Sequence, residues 1–155
     1  MADFVFNIAK GRVAEFVNRV KSNDPGTSRL VIIPLESSGL EAQSALEDSA
    51  SITEVLDGAT NEQTTMGRKF LADADLAAGA GSTPDNTNNR MDVDIPDITW
   101  ALATGNAVGS IVVGYDPNSS ADSAIIPLTH HTFAVTPDGT DIVAVINAAG
   151  FYRAA

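Results

Sequence analysis

The chain has 155 residues, enough for one domain with a substantial core. Nine basic side chains stand against twenty acidic ones, a net charge of −11, which argues against binding a phosphate backbone. There is no cysteine, so disulfides, thiolate chemistry and Cys-ligated metal sites are excluded.

The charge is unevenly placed. Residues 1–30 carry five bases (Lys10, Arg12, Arg19, Lys21, Arg29) against three acids, a net of +2; residues 31–155 carry four bases against seventeen acids, a net of −13. Apolar residues at Ile8, Ala9, Val13, Phe16, Val17 and Val20 recur near the 3.6 period. They predict an N-terminal amphipathic helix over 1–22, with Asn7 as a cap and Asn23-Asp24-Pro25-Gly26 as its stop. A helix of this length is marginal alone and must pack its stripe on something.

A mixed segment follows over 28–76. Arg29–Leu35 is a short β-branched run, read as a strand buried on both faces with Pro34 near its end or at an edge. Leu40–Leu46 predicts a helical turn, and Ser51–Leu56 a short helix with Ser51 or Thr53 near its cap. Glu62–Leu71 is read as a strand. Residues 77–91 are predicted as an exposed loop, since Ala77–Arg90 lacks apolar periodicity and is rich in Ala, Gly and Asn.

Residues 92–155 are predicted to be β-rich. Ile98–Leu102, Gly109–Tyr115 and Ala124–Leu128 read as strands, and Thr132–Val135 and Ile142–Ile146 flank Pro137-Asp138-Gly139 as a hairpin. The expected fold is therefore α+β in a single domain: an N-terminal helix, a mixed middle, then a C-terminal antiparallel sheet or small sandwich or barrel.

Catalytic and cofactor patterns fail on inspection. Asp85, Asn86, Asn88, Asn89, Asp92, Asp94 and Asp97 are oxygen-rich, but Ile95 and Pro96 break any EF-hand ladder. His130 and His131 are adjacent, and on a strand they point to opposite faces and cannot share a metal. Neither Gly-x-Ser-x-Gly nor a phosphate-cradling Gly-x-x-x-x-Gly-Lys occurs. The expectation is no enzyme, no metal and no cofactor. No signal peptide is visible, because Asp3, Lys10, Arg12 and Glu15 interrupt the N-terminal apolar residues. No run approaches the ~20 apolar residues of a membrane span. The sequon Asn118-Ser119-Ser120 carries little meaning without a secretory signal.

Three blocks together carry a resemblance: Met1–Phe16 (Met-Ala-Asp-Phe-Val-Phe-Asn-Ile-Ala-Lys-Gly-Arg-Val-Ala-Glu-Phe), Asp92–Trp100 (Asp-Val-Asp-Ile-Pro-Asp-Ile-Thr-Trp), and the ending Ile125–Asp141 with Asn147–Ala154. The chain resembles small proteins encoded by tailed bacteriophages among their virion structural genes. The resemblance implies a particle component without catalytic role, made in the bacterial cytoplasm and carried on the virion. The expected role is a capsid decoration (cement) protein on the outer shell. Its partners would be the major capsid protein and copies of itself in a homo-oligomer, with no nucleic acid and no membrane. A neck, tail-tube or minor tail component is the alternative, and a host- or glycan-binding module using the 77–90 loop is a third. The candidate interface residues are Lys10, Arg12, Phe16, Arg19, Lys21, Trp100, Phe151, Tyr152 and Arg153.

Overall fold

A computed structural model describes residues 2–76, 81–118 and 121–154, with the side chains of 81–83 left aside. The fold is β-rich α+β, and every strand pairing among the described residues is antiparallel. In chain order come β1 (Phe4–Val5), a 3-10 turn (Asn7–Ala9), α1 (Val13–Lys21), β2 (Arg29–Glu36), α2 (Gln43–Leu46) and α3 (Ile52–Val55). Then follow β3 (Lys69–Leu71), β4 (Gly81–Asp85), β5 (Arg90–Asp94), β6 (Ile98–Trp100) and β7 (Val108–Asp116). After a second 3-10 turn (Asp122–Ala124), β8 (Ile126–Val135), β9 (Ile142–Ala144) and β10 (Tyr152–Ala154) complete the chain.

The central sheet has the order β1-β8-β7-β2-β3. Its strands are apolar on both faces because both faces are covered. Leu30 and Ile32 of β2, with Ile111, Val113 and Tyr115 of β7, join the larger core under α1, β5 and the β6–β9 ribbon. Val31, Ile33, Leu35 and Val112 point the other way and pack with Phe6, Leu46, Ile52 and Val55. A side-chain period of two with apolar residues at every position is the mark of a strand with two cores. β3 begins opposite Ile32, so Pro34 sits past that ladder, its carbonyl taken by the Gln63 amide at 2.9 Å.

The first corrections concern the N-terminus. The expected helix over 1–22 occupies only Val13–Lys21. Gly11 has φ of 75°, which breaks the helical path, and Phe4–Val5 instead adds a strand to β8. The helix buries Val13, Phe16, Val17 and Val20, each worth roughly 1.5–3 kcal/mol of apolar burial.

The expected loop over 77–90 is the second. Residues 77–80 lie outside the described residues, but Gly81–Asp85 pairs with Arg90–Asp94 as a hairpin. The turn is built by Asp85, whose carboxylate accepts the Thr87 and Asn88 amides at 3.2 Å, while Asn89 takes φ of 51°. The polar run that reads as a loop is thus turn chemistry between two strands.

The third is the Pro137-Asp138-Gly139 hairpin. The turn exists, with Asp138 accepting the Thr140 amide at 3.0 Å, but its flanking strands do not pair. β8 runs unbroken from Ile126 to Val135 between β7 and β1, and β9 pairs with β6. Ile142 and Ala144 close the larger core beside β6, which draws β9 there. Of the strand expected over Glu62–Leu71, only Lys69–Leu71 forms. Gln63 turns the chain there, its side-chain oxygen accepting the Thr65 amide at 2.8 Å and its amide group donating to the Asn106 carbonyl at 2.7 Å.

Two short helices fall near their expected places. Ser51 caps α3 by accepting the Glu54 amide at 3.3 Å, and Glu54 accepts the Ala50 amide at 2.7 Å. Glu41 ties this segment together by accepting from Ala59, Thr60 and the Thr60 hydroxyl at 3.0–3.2 Å.

Candidate functional site: an apolar cleft beside an exposed ribbon

Between the central sheet and the β6–β9 ribbon lies an open cleft of about 250 Å³. Its floor is Ile32, Ile111 and Val113; its far wall is Ile95, Ile98 and Ala144. At the mouth stand Phe133 of β8, Val145 just past β9, and Phe151 ahead of β10. One polar corner breaks this apolar lining. His131 Nδ1 lies 3.3 Å from Asp3 Oδ2, its Nε2 lies 2.9 Å from the Thr129 hydroxyl, and the Phe151 ring meets its edge at 6.0 Å. Asp3 also accepts the Thr132 amide at 2.7 Å. These hydrogen bonds hold the Asp3 carboxyl below the usual carboxylate range, although partial burial pulls the other way.

Phe151 reaches the cleft because of Gly150. That residue has φ of 87°, and a Cβ there would stand 2.2 Å from the Val93 carbonyl oxygen. The close approach lets the Phe151 amide donate to Val93 at 3.0 Å, which starts the pairing of β10 on β5. At and just beyond the ribbon, apolar side chains are exposed: Val145 is 76% exposed, Leu102 74% and Val143 44%. Val143 and Val145 alternate with the buried Ile142 and Ala144, as β-strand geometry requires.

The sequence-predicted residues divide into three groups. Phe16 and Trp100 are buried, at 3% and 1% exposure, so both are corrected from surface anchors to core. Phe16 packs against Tyr115 at 4.8 Å, and the Trp100 indole N–H donates to the Gly67 carbonyl at 3.0 Å. Lys10, Arg12, Arg19 and Lys21 stand on the surface of the α1 segment. Arg12 and Arg19 share Glu15 at 3.0 and 3.2 Å, which holds the Glu15 carboxyl low, and Lys10 bonds Asn7. Phe151, Tyr152 and Arg153 form the third group at the C-terminal strand; only Phe151 lines the cleft, and Arg153 pairs with Asp92 at 2.6 Å. Asp3, His131, Phe133 and Val145 escaped sequence reading. The alternation of Val143 and Val145 with Ile142 and Ala144 was the available signal, but it does not say which face is covered.

The acidic residues of the calcium reading are otherwise engaged. Asp85 and Asp92 flank Arg90 at 3.0 and 3.2 Å, and Asp97 accepts the Ile146 amide at 2.8 Å. Among the described residues no group of three or more His, Asp or Glu is placed to hold a metal ion, and no helix is long and apolar enough to cross a membrane. Comparison with known proteins gave no matching family model, no significantly similar curated protein and no significantly similar solved structure. The site is therefore read from its own chemistry. An apolar cleft and ribbon, with one histidine–carboxylate corner, offer surface for burial.

Proposed function

We propose that this chain is a bacteriophage virion structural protein, a capsid decoration (cement) protein that binds the outer surface of the major capsid shell and stabilises it. The major capsid protein and further copies of the chain are its partners; nucleic acid, membrane, cofactor and catalysis play no part. The observation that carries the reading is the set of exposed apolar side chains at and beside the ribbon, Leu102, Val143 and Val145, of which Val145 also lines the cleft. Exposed apolar surface of this kind on a strongly acidic chain favours a protein partner. The resemblance of the three sequence blocks to phage virion proteins names the class of partner. In this reading residues 1–22 contribute a second contact, with the apolar stripe turned inward and Lys10, Arg12, Arg19 and Lys21 presented outward.

Burying the ribbon against a subunit would gain roughly 25 cal/mol per Å² before association costs. Quantitative mass spectrometry of purified particles tests the proposal. A copy number matching the major capsid protein, or a fixed fraction of it, supports decoration. A dozen copies or fewer overturns it in favour of a neck or tail component.

A further inference from the structure

The N-terminal arm, Ala2–Phe6, lies along one edge of β8. Phe4 pairs with His130 and Val5 with Thr129, and the Phe6 amide donates to the Leu128 carbonyl at 3.1 Å. Asp3 clamps the arm further along the same edge through the Thr132 amide and His131. The Phe4 ring stacks on the imidazole of His130, with centroids 4.7 Å apart and planes 11° from parallel.

His130 is fully buried, and neither of its ring nitrogens has a hydrogen-bond partner. A neutral imidazole tolerates that surrounding at a cost. An imidazolium, with two N–H donors and a full charge, does not. The arm is the weakest of the elements around it: β1 is two residues long, whereas β7 pairs with β8 along Val108–Tyr115.

We propose that the arm is an acid-released latch, in which protonation of His130 drives Phe4 off the imidazole and strips Ala2–Phe6 from β8 while the remaining sheet stays folded. Release would uncover the Thr129–Thr132 edge of β8 for pairing with another strand. The proposal does not depend on the capsid reading.

The charges around His130 agree with this direction. Burial is the main cause that holds its pKa down, to about 4; the neighbouring His131 adds to it, while Asp3 and the residue's own backbone oppose. On that face β7 offers only Val112 opposite His130 and Ser110 two pairs further along. On the layer over that face the carboxylates are committed elsewhere: Glu41 to Ala59 and Thr60, Glu47 to Gln43, Asp48 to Asn7, and Glu54 to Ala50. Because the closed arm binds the His130 proton more weakly than the open arm, the latch is at full strength above about pH 6.5. It weakens as pH falls and levels off near pH 4, by about tenfold per pH unit in between. Asp3, held low by its hydrogen bonds, keeps its charge through this window.

Hydrogen exchange on the full chain, corrected for intrinsic rates, tests the latch. Between pH 6 and pH 4.5 the protection of the Phe4 and Phe6 amides, which face β8, should fall by more than tenfold, while that of Val112 in β7 holds. In His130→Phe, which keeps the stack and removes the proton site, the arm's protection should become flat with pH. In Asp3→Asn it should be lower throughout, with the slope retained. A flat wild-type profile overturns the proposal, as does a parallel loss in the arm and β7 or an unchanged slope in His130→Phe. The comparison of arm with β7 in the unmodified chain decides the matter even if a variant does not fold.

Discussion

Arg68 shows how single residues hold distant parts of this chain together. Its guanidinium grips Glu62 through two bonds of 2.8 and 2.6 Å and Asp122 through two of 2.5 and 2.8 Å. The first partner lies ahead of β3 and the second in the 3-10 turn before β8. Arg68 in turn holds the Asp122 carboxyl below the usual carboxylate range, so this contribution is present above the ordinary Asp value and lost as pH falls through the lowered one. Arg68→Ala should cost about 2 kcal/mol, since it leaves two partly buried carboxylates facing each other. Urea unfolding at pH 7 measures that loss, and Arg68→Lys should recover only part of it because an ammonium cannot reproduce four planar contacts. Gly150 is the other sensitive position. Gly150→Ala should detach β10 from β5, seen as lost amide protection at Phe151 with little change in the central sheet.

At the scale of elements, α1 is primarily a core component. Phe16 is packed against Tyr115 beneath the Arg12 guanidinium, which lies 4.5 Å from its ring centre. Phe16→Ala should therefore cost about 3–4 kcal/mol in thermal or urea unfolding. Deleting residues 1–22 would remove Phe6, Ala9, Val13, Phe16, Val17 and Val20 from the core, so it cannot separate docking from folding. Charge reversal at the exposed Arg12 and Arg19 together is the cleaner probe of docking; it should leave the urea midpoint nearly unchanged, because surface ion pairs contribute little. Much of this level was readable in the residues. Arg29–Leu35 reads as a buried strand because its β-branched run has no polar face. Ser51 reads as a cap because a hydroxyl three residues before Glu54 satisfies a free helix amide. The β4–β5 hairpin was not readable, because Asp85, Asn88 and Asn89 have the composition of a loop and of a tight turn alike.

For the whole molecule, the cleft and ribbon form the surface on which the proposed role depends. Paired substitution of Leu102 and Val145 by Asp should leave the melting temperature within about 3 °C, since both side chains are largely exposed. The same pair should reduce occupancy on purified particles at least tenfold by gel densitometry. Unchanged occupancy would move the contact elsewhere on the chain.

Local chemistry in the sequence determined several things about this protein: a β-rich α+β chain, the absence of thiol chemistry, the central strands and the small helical caps. The absence of thiols follows from composition; the others depend on neighbours a few residues apart, through side-chain period, capping hydroxyls and backbone-restricting residues. The tertiary structure alone decided how the strands were shared out. β9 joined β6 instead of β8, Trp100 and Phe16 went inside, and Phe151, His131 and Asp3 met at one corner from positions far apart in the chain. Pairing partners and covered faces follow from which apolar surfaces remain to be buried once the central sheet is complete, a competition among distant segments that no local pattern records.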